Sequence, residues 1–378
     1  MMFAMRFRKF IRVIYLERIE VLLHRKKIAV FGSVGVNRGD DLMNRVLVNF
    51  FTACGHSVEA AAMLPEKMTA AYGTPYFSSR LKHFRQWLGA IWRSDVVVIG
   101  GGTVVQDDFG KIFGGILTYT SIIVLASKLF GKKVHAIGIG FNRIKRPASR
   151  LFFNAYRFLD TVCIRDDSSL QIAGRVPWLK GKVNYAPDLA FLKDYYGQVH
   201  PLPEQVEAGK RVLISLVGES HKESALTVLT YAHDICKKNG MPLVGIAMDD
   251  RVSEEISVFE IFKKSHPDFD YIIPATAEDA VAEIVQSSGV ISMRLHASII
   301  SLVTERPLVV ISRETKTVWI KDWVPEDMFI PVNECRGLRM ETAIEALIAR
   351  GRRSVLPDIA KRLEANAAQV VRALSRIA

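Results

Sequence analysis

Arg294 and His296 stand two residues apart in "SMRLHAS" (292–298), where one apolar run ends and a second, longer one begins. At that spacing in extended chain the two side chains share a face. The helix start predicted directly after them adds free backbone N–H groups and a dipole that favours negative charge. A guanidinium can grip a phosphate or carboxylate through two parallel hydrogen bonds. An imidazole can donate to a leaving phosphate or accept a hydroxyl proton near neutral pH. A lone histidine is more often structural, but an Arg-x-His at a strand-to-helix turn reads as an anion site.

Other strand ends offer further groups. "GSVGVNRGDDLMN" (32–44) places Asn37, Gly39 and Asp40 at a helix start, matching neither a P-loop nor a G-x-G-x-x-G motif. Asp40 either positions a hydroxyl or caps the helix, and Asn37 either contacts ligand or occupies a left-handed turn. "GGGTVVQDDFG" (100–110) brings Gly101, Gly102 and Thr103, with Asp107 or Asp108 as a base for a hydroxyl nucleophile. Three glycines in a row suggest close passage of a ligand or a neighbouring loop. In "CIRDDSSLQIAG" (163–174), Arg165 can bind an anion or pair with Asp166 or Asp188, and the pairing is the preferred reading.

The elements that must position these groups alternate. Apolar runs ended by glycine at 26–32, 94–102 and 132–140 predict strands, and periodic segments near 40–54, 115–130 and 147–158 predict helices. A short strand follows at 161–166, with a helix begun by Ser168. "KDYYGQVHPLPEQVEAGK" (193–210) breaks the pattern as a linker, and a second alternation runs from 211 to 312. The fold class expected is α/β, two Rossmann-like domains facing across a cleft at the carboxyl ends of their strands. The boundaries expected are 1–26 for a basic amphipathic helix, 27–195 and 208–335 for the domains, and 336–378 for C-terminal helices.

Composition bounds the partners. Among 378 residues, 51 Lys and Arg outweigh 39 Asp and Glu, a net +12. Residues 1–27 hold eight of the basic residues against Glu17 and Glu20, a net +6. Phe7, Phe10, Ile11 and Ile14 fall at helical spacing there, so residues 1–26 either lie on an anionic membrane surface or pack on a protein. Nucleic acid is not an expected partner, since no basic stripe is interleaved with aromatics. The most apolar segment, "GILTYTSIIVLASKLFG" (115–131), is too short and polar for a membrane span. Cys54, Cys163, Cys236 and Cys335 are scattered without disulfide or metal-ligand spacing, so a cytoplasmic location is expected, peripheral on the membrane if residues 1–26 bind it.

Taken in order, "NRGDD" (37–41), "GGGTVVQD" (100–107), "IRDDSS" (164–169), "APDLAF" (186–191) and "SMRLHASIISLVTERPLVVIS" (292–312) resemble the polysaccharide pyruvyl transferase family. The resemblance covers roughly residues 27–320 and implies a GT-B-like fold. It implies transfer of the enolpyruvyl carbons of phosphoenolpyruvate onto a sugar as a ketal, with phosphate released. Arg294, Leu295 and His296 then belong to the phosphoenolpyruvate pocket. The N-terminal side then takes a glycan or lipid-linked sugar, with Asn37, Gly39, Gly101, Gly102, Thr103 and Arg165 as binding residues. His296 becomes a general acid or base, Asp40 or Asp107 handles the acceptor hydroxyl, and Lys316 closes the pocket. No cofactor or metal is expected, because Arg294 and a helix N-terminus suffice for so small a polyanion.

The sequence departs from the pattern at one place. Many relatives end the first strand of the second domain in arginine, where "VLISLVGES" has Val217 and Gly218, leaving His221 and Lys222 as nearby replacements. Two other readings share the fold: a GT-B glycosyltransferase with a nucleotide-sugar donor, and a silent polysaccharide-assembly protein.

Overall fold

The computed structural model describes residues 25–107, 115–197, 211–218, 221–313, 318–350 and 357–378. Two open parallel sheets organise it. The first contains β1 (Lys27–Phe31), β2 (Ser57–Ala62), β3 (Tyr76–Ser78), β4 (Val96–Gly100), β5 (Thr103–Val105), β6 (Lys133–Phe141), β7 (Thr161–Ile164) and β8 (Val183–Tyr185). Its order is β3-β2-β1-β4-β6-β7-β8, with β5 alongside the end of β6. The second contains β9 (Val212–Ser215), β10 (Leu243–Ile246), β11 (Asp270–Ile272), β12 (Gly289–Ser292), β13 (Leu308–Ser312) and β14 (Phe329–Pro331), in the order β11-β10-β9-β12-β13-β14. Four of five side chains in β1 and all four in β12 are buried, as expected of central strands covered on both faces.

Strand order reverses between β1 and β4 in one sheet and between β9 and β12 in the other. At such a switch point the connections leave in opposite directions and open a crevice at the carboxyl ends of the strands. Two helices begin there: α1 (Arg38–Ala53) after β1 and, later in the chain, Leu295–Val303 after β12.

Helix α1 is buried on more than its sheet-facing side. Leu42, Val46 and Phe50 join a core that runs without interruption into the second domain. Two of its buried polar residues answer to that domain: Arg38 donates from Nε to Pro274 O at 2.8 Å and pairs with Asp250 at 3.1 Å, and Arg45 pairs with Glu278 at 3.0 Å. Helix α2 (Pro65–Tyr72) lies beside α1, with the Arg45 guanidinium over its Tyr72 ring at 4.3 Å, and the opposite face of the first sheet carries α3 (Phe84–Arg93), α4 (Ile116–Leu129) and α5 (Pro147–Phe153) around a separate core that includes Trp87, Ile123 and Tyr156. Helix α6 (Asp167–Gly174) completes this half.

The second sheet carries α7 (Lys222–Lys238), α8 (Ser257–Ser265), α9 (Ala277–Gln286) and α10 (Leu295–Val303). Helix α9 starts in a capping box between Thr276 and Asp279, satisfying two otherwise orphaned amides. Eight of the nine α10 residues are buried, because the helix lies between its own sheet and the turn Leu189–Phe191 of the first domain. The tail forms α11 (Leu338–Arg350) and α12 (Pro357–Ser375), and α12 returns to the first domain against the same turn. Residues 1–24, which hold most of the expected amphipathic helix, lie outside the described residues. No described helix is long and apolar enough to cross a membrane.

Candidate active site

The end of β12 delivers Arg294 to the switch point of the second sheet, as the N-cap of α10. Its Nε donates to Leu216 O at 2.8 Å, just past the end of the neighbouring strand β9, and to Glu255 Oε1 at 3.1 Å. Its Nη2 donates to Glu254 Oε2 at 3.3 Å. The side chain keeps 19% of its surface exposed, so one edge of the guanidinium still faces outward. The arginine is therefore pre-positioned by two carboxylates and a carbonyl. Glu255 is wholly buried, and burial pushes its carboxyl up to about 7 against the pull of Arg294.

His296 is the second residue of the same helix and reaches the first domain. Its Nε2 lies 3.7 Å from Asp188 Oδ2, and that nitrogen has no hydrogen-bond partner. Asp188 is fully buried; burial alone would raise its carboxyl, yet His296, Arg165 and the Ala190 amide hold it down at about 2. Arg165 donates from Nη1 to Asp188 at 2.9 Å and from Nη2 to Thr103 Oγ1 at 3.0 Å. Arg165 is thus spent on Asp188 and Thr103, in line with the pairing preferred from sequence. The fixed set Thr103–Arg165–Asp188 supports an imidazole contributed by the other domain.

On the first-domain side, Asn37 caps α1, its Oδ1 accepting from the amides of Gly39 at 2.9 Å and Asp40 at 3.3 Å. Of the alternatives open in the sequence, this removes Asp40 as the cap and Asn37 in a left-handed turn: Asn37 is extended, with φ −113°. Asp40 follows in the first turn of α1, half-buried. A β-carbon on Gly102 would lie 3.5 Å from Asp40 Oδ1, and Asp40 is close enough to Arg251 to strengthen that residue's hold on its proton. The glycine triplet also has a packing cause. A β-carbon at Gly100 would meet Leu47 at 2.0 Å and one at Gly101 would meet Met43 at 2.9 Å, so α1 itself makes the close approach. Gly101 and Gly102 have φ of +67° and +79°, which glycine adopts without strain.

The two sides touch. A β-carbon on Gly39 would fall 1.9 Å from His296 Nδ1, so this glycine makes room for the imidazole. Beside it the chain forms an isolated antiparallel bridge between Asn37 and Asp249. There the Arg38 amide donates to Met248 O at 2.7 Å and the Asp250 amide to Val36 O at 3.0 Å. Asp249 is held by Arg251 and accepts from Asn37 Nδ2 at 3.4 Å.

Two residues named from sequence fall away from this cluster. Asp107 accepts from the amides of Lys145 at 3.0 Å and Arg146 at 3.2 Å, where it fastens the loop that leads into α5. Burial acts to raise its carboxyl, but these amides, together with Ser149 and the Arg146 charge, keep it below the ordinary value, which makes it a poorer base. Leu295 is buried and begins α10. Lys316 lies outside the described residues. Val217 is buried, and Gly218 lies against Glu254, whose Oε2 would stand 2.4 Å from a β-carbon there. His221 is the residue before α7 and Lys222 its first, so both open that helix.

Sequence reasoning assigned no role to Glu254, Glu255 or Asp249, and treated Asp188 only as a partner for Arg165. Asp188 carried a signal, an acid between Pro187 and the apolar run 189–192, a place where burial demands a cationic partner.

Comparisons with known proteins agree on family and fold. No curated protein matches the sequence significantly. The chain is similar in structure to a UDP-GlcNAc 2-epimerase from Methanocaldococcus jannaschii in complex with UDP-GlcNAc and UDP, at TM-score 0.60 and 11% identity, covering 93% of this chain and 99% of that one. It is also similar to S. aureus MnaA in a co-structure with UDP, at TM-score 0.58 and 12% identity over 92% and 91% of the two chains. A glycotransferase of kitacinnamycin matches at TM-score 0.55 and 12% identity over 94% and 98%. These likenesses establish the GT-B fold. The model of the polysaccharide pyruvyl transferase family matches residues 37–315, from the Asn37 cap through the Arg294 and His296 turn to the loop after β13. On that span, the chain belongs to the polysaccharide pyruvyl transferase family.

Proposed function

We propose that the protein transfers the pyruvyl group of phosphoenolpyruvate onto two hydroxyls of a sugar in a cell-surface polysaccharide or its lipid-linked precursor. The observation that carries the reading is the meeting of Arg294 and His296, at one switch point, with Asn37, Gly39 and Asp40 at the other. Arg294 neutralises phosphate or carboxylate of the donor through its exposed edge, while Glu255 and Leu216 O hold it in place. One sugar hydroxyl adds to C2 of the enol as C3 gains a proton. The C2–O bond to phosphate then breaks, and the second hydroxyl closes the ketal. Of the two hydroxyl protons, one is balanced at the new methyl group and one leaves on phosphate.

His296 is the acid or base in this scheme, with Asp188 beneath it, and Asp40 orients the acceptor hydroxyl. Asp107 has no part in it, because its carboxylate is committed to the 145–146 amides. A thermal-shift panel tests the donor: phosphoenolpyruvate raises the melting temperature, and UDP- and GDP-sugars do not. Stabilisation by a nucleotide sugar alone would replace this reading with a glycosyltransferase.

A further inference from the structure

The α3–α4–α5 layer covers the face of the first sheet opposite α1, and so is turned away from the second domain. Its outer side is apolar. Along α4, Ile122, Leu125 and Leu129 are exposed at helical spacing, one stripe on a helix whose inward residues Ile123 and Val124 fill the core. On one flank Trp92 of α3 stands 66% exposed, its ring edge-on to Phe130 at 5.3 Å. On the other flank Leu151 of α5 is 70% exposed, and Leu129, the last residue of α4, is 82% exposed. Helix α4 packs against both neighbours, and Ser121 Oγ donates to Phe152 O at 2.8 Å, so these side chains form one ridge.

The charge around the ridge has a single sign. Residues 80–93 contain four Lys or Arg and residues 115–158 contain eight, with no Asp or Glu in either segment. Arg80, Arg85, Lys133, Arg143, Arg150 and Arg157 are exposed. Acids from outside these segments meet them at Arg93, paired with Glu59, at Lys128, paired with Asp160, and at the Lys145 and Arg146 amides, held by Asp107.

We infer that this face docks on an anionic lipid bilayer, with the leucine and tryptophan ridge in the headgroup boundary and the basic residues among lipid phosphates. A contiguous apolar patch of this kind marks an interaction surface. Interfacial binding joins buried apolar area to attraction for acidic headgroups, and tryptophan favours that depth. Charge argues against the protein partners at hand. A second copy placed face to face would oppose twelve Lys and Arg with twelve more, and residues 1–26 are themselves net positive. A nucleic acid would satisfy the charge and leave the leucines in water. The inference is independent of the donor assigned above, because vesicle binding is read without turnover.

The test uses the full chain and flotation with vesicles. Vesicles of equal parts phosphatidylcholine and phosphatidylglycerol should carry the protein up the gradient, less so at high salt, and phosphatidylcholine alone should not. The variant Leu125→Ser/Leu129→Ser/Leu151→Ser alters only exposed side chains, so its melting temperature should hold while vesicle affinity falls by about tenfold or more. Trp92→Phe should remove a component of tryptophan quenching by brominated lipid. Unchanged vesicle affinity in the triple variant would overturn the inference. So would a dimer in solution that the triple variant converts to monomer, since the face would then join two copies.

Discussion

The imidazole of His296 occupies the space into which a side chain at Gly39 would grow, with Nδ1 only 1.9 Å from that β-carbon position. Each residue opens a helix in a different domain, so the contact records how closely the two switch points are brought together. Gly39→Ala should push the ring aside and destabilise the fold by about 1–3 kcal/mol, the usual cost of overpacking. Adding His296→Ala should restore part of that loss, with a coupling of roughly 0.5–3 kcal/mol in a urea-denaturation cycle. Strict additivity of the two changes would show that the residues do not meet.

Asp188→Asn removes the one carboxylate shared by Arg165 and His296. Breaking a buried pair on one side leaves charge without compensation, so stability should fall by about 3–5 kcal/mol. Asp166 is no substitute, being 3.7 Å from Arg165 and already engaged with the start of α6. Chemical denaturation of the variant checks this directly.

Arg294→Ala and His296→Ala should each lower phosphate release from phosphoenolpyruvate, with a suitable glycan acceptor, by about a hundredfold or more. Arg294→Lys should keep the positive charge yet recover little, because lysine lacks the fork whose Nε bonds Leu216 O and Glu255 while its Nη2 bonds Glu254. Rates near wild type for both alanine variants would remove these residues from the site.

Asp107→Asn should leave turnover within about twofold of wild type and cost about 0.5–2 kcal/mol of stability, the range for losing a carboxylate that ties down backbone amides. Steady-state rates and a melting curve separate the two effects. A large fall in turnover with unchanged stability would return Asp107 to the chemistry.

Glu255 should leave a mark on the pH profile of stability. Its carboxyl is raised from 4.5 to about 7 by burial. Between those values the folded protein keeps a proton that the unfolded chain releases, so stability falls as pH rises through the window. Asp41, raised to about 7 by burial, acts with the same sign. Glu255→Gln and Asp41→Asn should each flatten the decline in melting temperature between pH 5 and 7.

The architecture was largely legible, since glycine-ended apolar runs alternating with helical periodicity specify a doubly wound sheet. What escaped was short or uncharacteristic. Strands β3, β5, β8 and β14 have three residues each, too few to show a period, and β2 is "SVEAAA", poor in β-branched residues. In the site, Arg294, His296 and Asp40 could be singled out because each follows a strand end. Their partners could not. Glu255 reaches Arg294 from the turn before α8, and Asp188 reaches His296 from the other domain, and such pairings are set by docking rather than local pattern. Asp40 and Asp107 look alike in sequence, and only the 145–146 amides distinguish them.

The backbone bridge at Asn37 and Asp249 has a kinetic consequence. The amides of Arg38 and Asp250 donate across it, to Met248 and Val36, so their hydrogens are locked by the contact between the domains rather than by any helix or sheet. They can trade for deuterium only when the halves part. Their exchange rate is therefore a clock for the opening of the crevice, and a ligand that clasps both halves should slow it in proportion to its occupancy.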